Sequence, residues 1–134
     1  MPQVGAGDTG QLGDGGTADQ GTPVRVRTPR GVALARLAAD GTHTCGISGA
    51  ATYCWGANFD GELGNGGTTH QRTPVRVRTP RGVAFTQVTA GDAHTCGISG
   101  TRTFCWGNNI NGELGDGGTT NRTRPVEVVF SRPR

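Results

Sequence analysis

Lysine is missing altogether. All 13 basic residues are arginine, set against 10 acidic residues for a formal net charge of +3. A composition bias of the coding sequence explains this more economically than selection for guanidinium. The absence still excludes the phosphate-binding loop that ends in Lys-Ser or Lys-Thr. Large core formers are scarce: Leu, Ile, Val and Phe together make 23 of 134 residues, about 17%. That is a level associated with disorder, although the net charge is too small to support disorder. No apolar run approaches the roughly 18–20 residues of a membrane span. No 3.6-period apolar stripe survives the frequent glycines, which excludes a helical bundle. The first residues, Met1-Pro2-Gln3-Val4-Gly5, lack the basic start and apolar segment of a signal peptide. A chain that starts here is expected to be cytosolic or to lack its true N-terminus.

What the sequence has in abundance is glycine, 25 residues, and it is periodic. Gly-Gln-Leu-Gly-Asp-Gly-Gly-Thr at 10–17 returns as Gly-Glu-Leu-Gly-Asn-Gly-Gly-Thr at 61–68 and as Gly-Glu-Leu-Gly-Asp-Gly-Gly-Thr at 112–119. The offset of 51 also relates His43 to His94, Cys45 to Cys96, Cys54 to Cys105 and Trp55 to Trp106. Aligned without a gap, 4–54 and 55–105 match at 31 of 51 positions, and Thr22–Ala33 is identical to Thr73–Ala84. Glycine at fixed phase marks turns. The chain therefore reads as one repeat region, 1–134, with units 4–54, 55–105 and a partial 106–134.

Each unit is patterned as strand and turn. Val75-Arg76-Val77-Arg78 alternates apolar and charged residues, the pattern of a half-buried strand, and Pro80-Arg81-Gly82 breaks it. Phe85–Ala90, His94–Ile98 and Arg102–Trp106 read as three further strands, with Ser99-Gly100 as a turn. Four short strands per 51 residues is the content of one propeller blade.

Trp-Gly-x-Asn-x-x-Gly-Glu-Leu-Gly-x-Gly, then Pro-Val, then His-Thr-Cys-Gly-Ile and Phe-Cys-Trp-Gly, resembles the RCC1 (regulator of chromosome condensation) repeat, in a Cys-bearing form similar to its bacterial branch. The likeness runs from Val4 to Val129. It carries a structural signature of Gly61, Leu63, Gly64, His43, His94, Trp55 and Trp106. The first unit departs from it, with Val4 for Trp, Gly7 for Asn and Gln3 for Cys. The resemblance implies an all-β propeller of seven blades. Here 134 residues hold only about 2.6 units of 51, so the expectation is an incomplete arc of about two and a half four-stranded blades. The expected order is a stub of a fourth strand, two full sets at 24–55 and 75–106, and one first strand at 126–130. Such an arc, read as a fragment of a longer propeller, leaves blade edges open to self-association.

The four cysteines form two pairs nine residues apart. In hairpins centred on 48–51 and 99–102, positions summing to 99 or 201 face one another, and Cys45–Cys54 and Cys96–Cys105 meet those sums. Facing residues lie within disulfide reach. Two disulfides are the leading reading, buried thiols the second, and zinc with His43 or His94 the third, which lacks a fourth ligand. His43 and His94 sit in a duplicated setting with Asp40, Asp92, Thr44 and Thr95 nearby, which favours a structural over a catalytic role. The glycine loops have neither a following helix nor the clustered carboxylates of a calcium site. Trp55 and Trp106, only two and one unit apart, read as packing. Alternation puts Arg76 and Arg78, like Arg25 and Arg27, on one strand face. That stripe either is solvated or meets carboxylate or phosphate partners. With seven aromatics not interleaved with the arginines, nucleic acid is not favoured.

The expected function is a non-enzymatic interaction module with a protein partner and with no catalytic residue, cofactor, metal or membrane association. The resemblance also implies two alternatives: nucleotide exchange on a small GTPase or chromatin binding, and a secreted binder or inhibitor of an extracellular protein. Paired cysteines favour an extracytoplasmic location.

Overall fold

The structure, a computed structural model, describes residues 10–13, 15–17, 25–40, 42–91, 93–110 and 112–128. Eight strands and no helix form among them: β1 (Ala35–Ala39), β2 (His43–Ser48), β3 (Ala51–Gly56), β4 (Gln71–Arg76), β5 (Gln87–Ala90), β6 (His94–Ser99), β7 (Arg102–Gly107) and β8 (Arg122–Glu127). They make two antiparallel four-stranded sheets in simple meander order, β1-β2-β3-β4 and β5-β6-β7-β8. Each sheet is one blade. The departures that the sequence shows at Gln3, Val4 and Gly7 lie outside the described residues.

The central hairpin of each blade forms in the register expected from the cysteine sums. Cys45 faces Cys54 and Cys96 faces Cys105, with Ser48 opposite Ala51 and Ser99 opposite Arg102. Gly49 and Gly100, at φ 60° and 62°, take the first place of each two-residue loop, where a type II′ turn needs a positive φ. The Sγ atoms are 2.12 Å apart in the first pair and 2.06 Å in the second, the separation of a disulfide.

The expected grouping of the strands is corrected. The stretch around Val75-Arg76 does not open the following blade but closes the preceding one: Cys54 pairs with Val75 and Tyr53 with Arg76. The strand also starts at Gln71 rather than Val75. The blades therefore span 35–76 and 87–127, not 24–55 and 75–106, and residues 126 and 127 belong to the outer strand of the second blade. Period-two alternation reveals a strand but not the strand it pairs with. The glycine-rich stretch 57–70 lies within a blade, joining β3 to β4, while Pro80-Arg81-Gly82 provides the passage between blades. A turn there is closed by a hydrogen bond from Val83 N to Pro80 O at 3.1 Å, repeated by Val32 N and Pro29 O at 3.1 Å. Proline inside a sheet is tolerated at an edge, and Pro74 sits on the outermost strand.

One core serves both blades. Cys45, Cys54, Leu63, Val77, Phe85, Phe104 and Trp106 fall in a single buried cluster, and β5 packs against both β1 and β2. Phe85 stacks on Trp106 at a centroid distance of 5.4 Å and tilts against Phe104 at 5.8 Å. Burial of each such ring contributes about 2–3 kcal/mol, so few core formers suffice when the largest converge on one place. The blades differ at their inner strands. β5 pairs regularly with β6, whereas β1 shifts register between Ala35 and Ala38. At that shift Arg36 has φ 52°, alone among the described non-glycine residues in the positive region.

Candidate functional site

The recurrent residues of the sequence meet at the seam between the two blades. The loop after β3 leaves its own blade and lies against the next. Asn58 pins it from within: its Oδ1 accepts from Leu63 N at 3.0 Å, and its Nδ2 donates to Gly67 O at 3.0 Å and Thr69 O at 3.1 Å. Asn109 repeats this, accepting from Leu114 N at 3.0 Å and donating to Asp116 Oδ1 at 3.0 Å and Thr120 O at 3.1 Å. Both asparagines are fully buried, so each bond replaces water that is not there. Their recurrence in phase was visible in the sequence, but only as part of a pattern and without a role.

So anchored, the loop delivers three groups across the seam. Leu63 enters the shared core with no exposed surface. Gly64 passes over the indole of Trp106 so closely that a Cβ there would lie 2.6 Å from Nε1. Gly66 N donates to Thr123 O of β8 at 2.9 Å, and Gly64 O accepts from Arg78 N at 2.8 Å. The same contacts recur one blade earlier. A Cβ on Gly13 would lie 2.6 Å from Trp55 Nε1, and Gly15 N donates to Arg72 O at 3.1 Å.

His43, the first residue of β2, also spans the seam. Its Nε2 is 2.9 Å from Thr95 Oγ1, which donates its single proton to Glu62 O at 2.6 Å. The hydroxyl therefore accepts from the imidazole, placing a proton on Nε2. Nδ1 lies 3.1 Å from Asp40 Oδ1, an oxygen already accepting from Thr42 N and His43 N at 2.9 Å each. Burial pushes the His43 pKa below its ordinary value, Asp40 opposes that, and His94 adds to the lowering. Burial likewise pushes the Glu62 carboxyl up, against the backbone N–H groups that hydrogen-bond to it. His94 is only half-buried, and Gly91 stands where the first blade has Asp40.

The arginine side chains take no part in the hydrogen bonds of His43, Thr95 and Glu62. Arg25, Arg27, Arg76 and Arg78 are all exposed and Val77 between the last two is buried, while β4 ends at Arg76 and no strand forms over 25–27. None of the four makes an ion pair with a described residue, unlike Arg102, which pairs with Glu127 at 2.9 Å, and Arg122, which pairs with Asp116 at 3.0 Å. Arg124, outside the expected stripe, comes near Arg78 at Gly66. Among the described residues, no group of three His, Cys, Asp or Glu is placed to hold a metal ion. No helix there is long and apolar enough to cross a membrane.

The same arrangement occurs in proteins already known. Ultraviolet-B receptor UVR8 of Arabidopsis thaliana is 30% identical over 127 residues, covering 92% of this chain and 29% of that protein. E3 ubiquitin-protein ligase HERC2 of Homo sapiens is 29% identical over 127 residues, 93% of this chain and 3% of that protein. Among solved structures, human WBSCR16 superposes with a TM-score of 0.80 at 21% identity, covering 92% of this chain and 31% of that one. Prp20p from Saccharomyces cerevisiae superposes with 0.78 at 19% identity, covering 93% and 33%. The chain thus spans about a third or less of the length of these relatives, and the fold is that of an RCC1-like propeller in part. Residues 4–47 and 51–98 match the regulator of chromosome condensation (RCC1) repeat, and the chain belongs to that repeat family.

Proposed function

We propose that the chain is a non-enzymatic segment of an RCC1-like propeller that binds a protein partner through its arginine-bearing face. One observation carries this reading: Arg25, Arg27, Arg76 and Arg78 are exposed and without an ion pair among the described residues, while His43 is occupied inside the seam. His43 has no exposed surface and is engaged by Thr95, which leaves no space for a substrate at the imidazole. Guanidinium groups free of internal partners are suited to carboxylate or phosphate groups on a partner. Relatives support the choice of a protein partner, since the structure of Prp20p is described together with its binding to Gsp1p and histones. The chain itself is read as a piece of a longer propeller.

The cysteine pairs favour a second reading, a binder of an extracellular protein, because disulfides persist in oxidising compartments. Affinity capture with the oxidised wild-type chain and with the fourfold variant Arg25→Ala, Arg27→Ala, Arg76→Ala, Arg78→Ala tests the main reading. The expected result is a partner whose retention falls with rising salt and is lost in the variant. Equal, salt-insensitive retention by both proteins overturns it. A partner found only in the extracellular fraction decides for the second reading.

A further inference from the structure

The three copies of the glycine loop are not equivalent where they meet the arginines. The position held by Asn65 in the middle copy is Asp14 in the first and Asp116 in the third. In the third copy that aspartate is spent on an arginine, Oδ2 accepting from Arg122 Nε at 3.0 Å. Position 76 differs in the same sense, since its equivalent in the second blade is Glu127, which pairs with Arg102. Position 124 differs as well: its equivalent one unit earlier is Thr73, while the first blade has Arg72 where the second has Thr123, so the outer-strand arginine is shifted by one residue between the seams. Both acidic positions are thus neutral or basic in the middle copy, and the arginines they pair with are replaced as well, by Gln71 and Ala51, which leaves Arg76 and Arg78 with no carboxylate at either position.

The geometry gathers those charges. Asn65, Arg76, Val77, Arg78 and Thr79 line a cleft of about 570 Å³ at the seam. Arg124 does not line the cleft but stands beside it: a Cβ on Gly66, next to Asn65, would lie 3.3 Å from Arg124 Nε and 3.5 Å from Arg78 Cδ. Arg76, Arg78 and Arg124 make no ion pair with any described residue. Asn65 accepts with its Oδ1 from Gly67 N at 3.2 Å and Asn58 Nδ2 at 3.3 Å, which leaves its own amide protons to donate. Thr79 adds a hydroxyl.

We propose that this cleft is a subsite for a phosphate monoester, with Arg76, Arg78 and Arg124 as charged donors and Asn65 and Thr79 as neutral ones. A phosphate carries about −1.5 to −2 charges and three acceptor oxygens, which matches three guanidinium groups better than a carboxylate with one charge does. The free ion and a phosphorylated side chain share this chemistry. The subsite rests on the reading that the arginine face meets an anionic partner, and it narrows that partner to a phosphorylated one.

The test titrates inorganic phosphate, a phosphoserine peptide and its Ser→Glu counterpart into the full oxidised chain, at constant ionic strength, by calorimetry. The phosphopeptide is expected to bind saturably and more tightly than the Glu peptide. Arg78→Ala, Arg124→Ala and Asn65→Asp are each expected to weaken binding by roughly tenfold or more, since each removes or opposes a charge-assisted hydrogen bond. The double variant Arg25→Ala, Arg27→Ala is expected to bind the phosphopeptide as the wild type does. Asn65→Asp is the safest of these for folding, because aspartate already stands at the same place in the other two loops. Saturable binding of free phosphate with the same variant pattern assigns the site to the ion itself as well as to the peptide. Equal binding of the phospho and Glu peptides, or equal losses from the Arg25/Arg27 double variant, overturns the subsite. If the subsite fails while partner capture still depends on the four stripe arginines, the broader reading stands without it.

Discussion

His43 and His94 hold the same place at the start of equivalent strands, yet only the first is locked. His43 is sealed at the seam, bonded to Thr95 of the next blade and flanked by Asp40. His94 is half-buried and folds against Gly91, the residue that replaces Asp40. The loops differ in the same way. A Cβ on Gly61 would strike Thr123 Cα at 2.7 Å, while one on Gly112 would meet nothing within 4 Å. Both blades have the same hairpin, the same disulfide and the same asparagine anchor. The comparison separates what a unit builds by itself from what it builds only against a neighbour.

The comparison breaks most readily at the glycines. Gly61 and Gly112 have φ 87° and 74°, so alanine at either position carries the cost of a left-handed backbone. That strain alone makes Gly112→Ala cost about 1–2 kcal/mol. Gly61→Ala adds a backbone collision and is expected to cost about 3 kcal/mol or more. Chemical denaturation of the two variants checks this, and equal losses mean that the loop does not grip the next blade as described.

The histidines give a smaller effect. His43→Asn is expected to cost about 1–3 kcal/mol, because Thr95 and the buried end of the site lose their partner, while His94→Asn costs about 0.5 kcal/mol or less. A pH series sharpens the contrast. Burial lowers the His43 pKa in the folded chain, so the unfolded chain binds more protons as pH drops below about 6.5, and stability falls with it. Glu62 works in the opposite sense and lower on the scale. Its raised carboxyl pKa makes the folded chain the better proton binder, and the stability this gives is lost as pH rises from about 4.5. The loss of stability near pH 6 is expected to vanish in His43→Asn and to persist in His94→Asn. Melting curves between pH 5 and pH 8 distinguish the two.

The smallest effect belongs to an ion pair that one blade has and the other lacks. Arg102 and Glu127 meet at 2.9 Å, about half exposed, and Ala51 and Arg76 take their places in the first blade. Exposed pairs of this kind exchange water for little gain. Arg102→Ala is expected to leave the melting temperature unchanged within error, and a clear decrease shows that the blades differ in their own stability as well as in their seams.

What the sequence made legible follows the same division. The hairpins were readable to the residue, because β2 and β3 are local and the two cysteines of each pair sit symmetrically about a Ser-Gly turn. The outer strand was readable as a strand but was assigned to the wrong blade, since its partner β3 lies beyond a 57–70 loop that looks like a linker. The roles of Thr95 and Glu62 were not readable, because they meet His43 and one another only across the seam, whereas Asn58 acts inside its own loop, where its recurrence gave no sign of which backbone groups it binds. The bulge at Arg36 had no signal either: it marks where the first blade departs from the regular pairing of the second.

The loop that closes one blade is also the part that the next blade requires, and this sets how such a chain can change length. Every span of 51 residues, wherever it starts, carries one loop and one receiving groove. Gain or loss of a whole period therefore joins a loop to a groove of the right shape. An insertion or deletion of another size inside the loop or the groove disturbs that fit, whereas the exposed Arg81-Gly82 passage is open to short changes. The stretches Thr22–Ala33 and Thr73–Ala84 are identical over twelve residues, so a join made anywhere within them leaves the sequence of the unit unchanged. Whole periods are the steps that add or remove a blade together with the seam it needs.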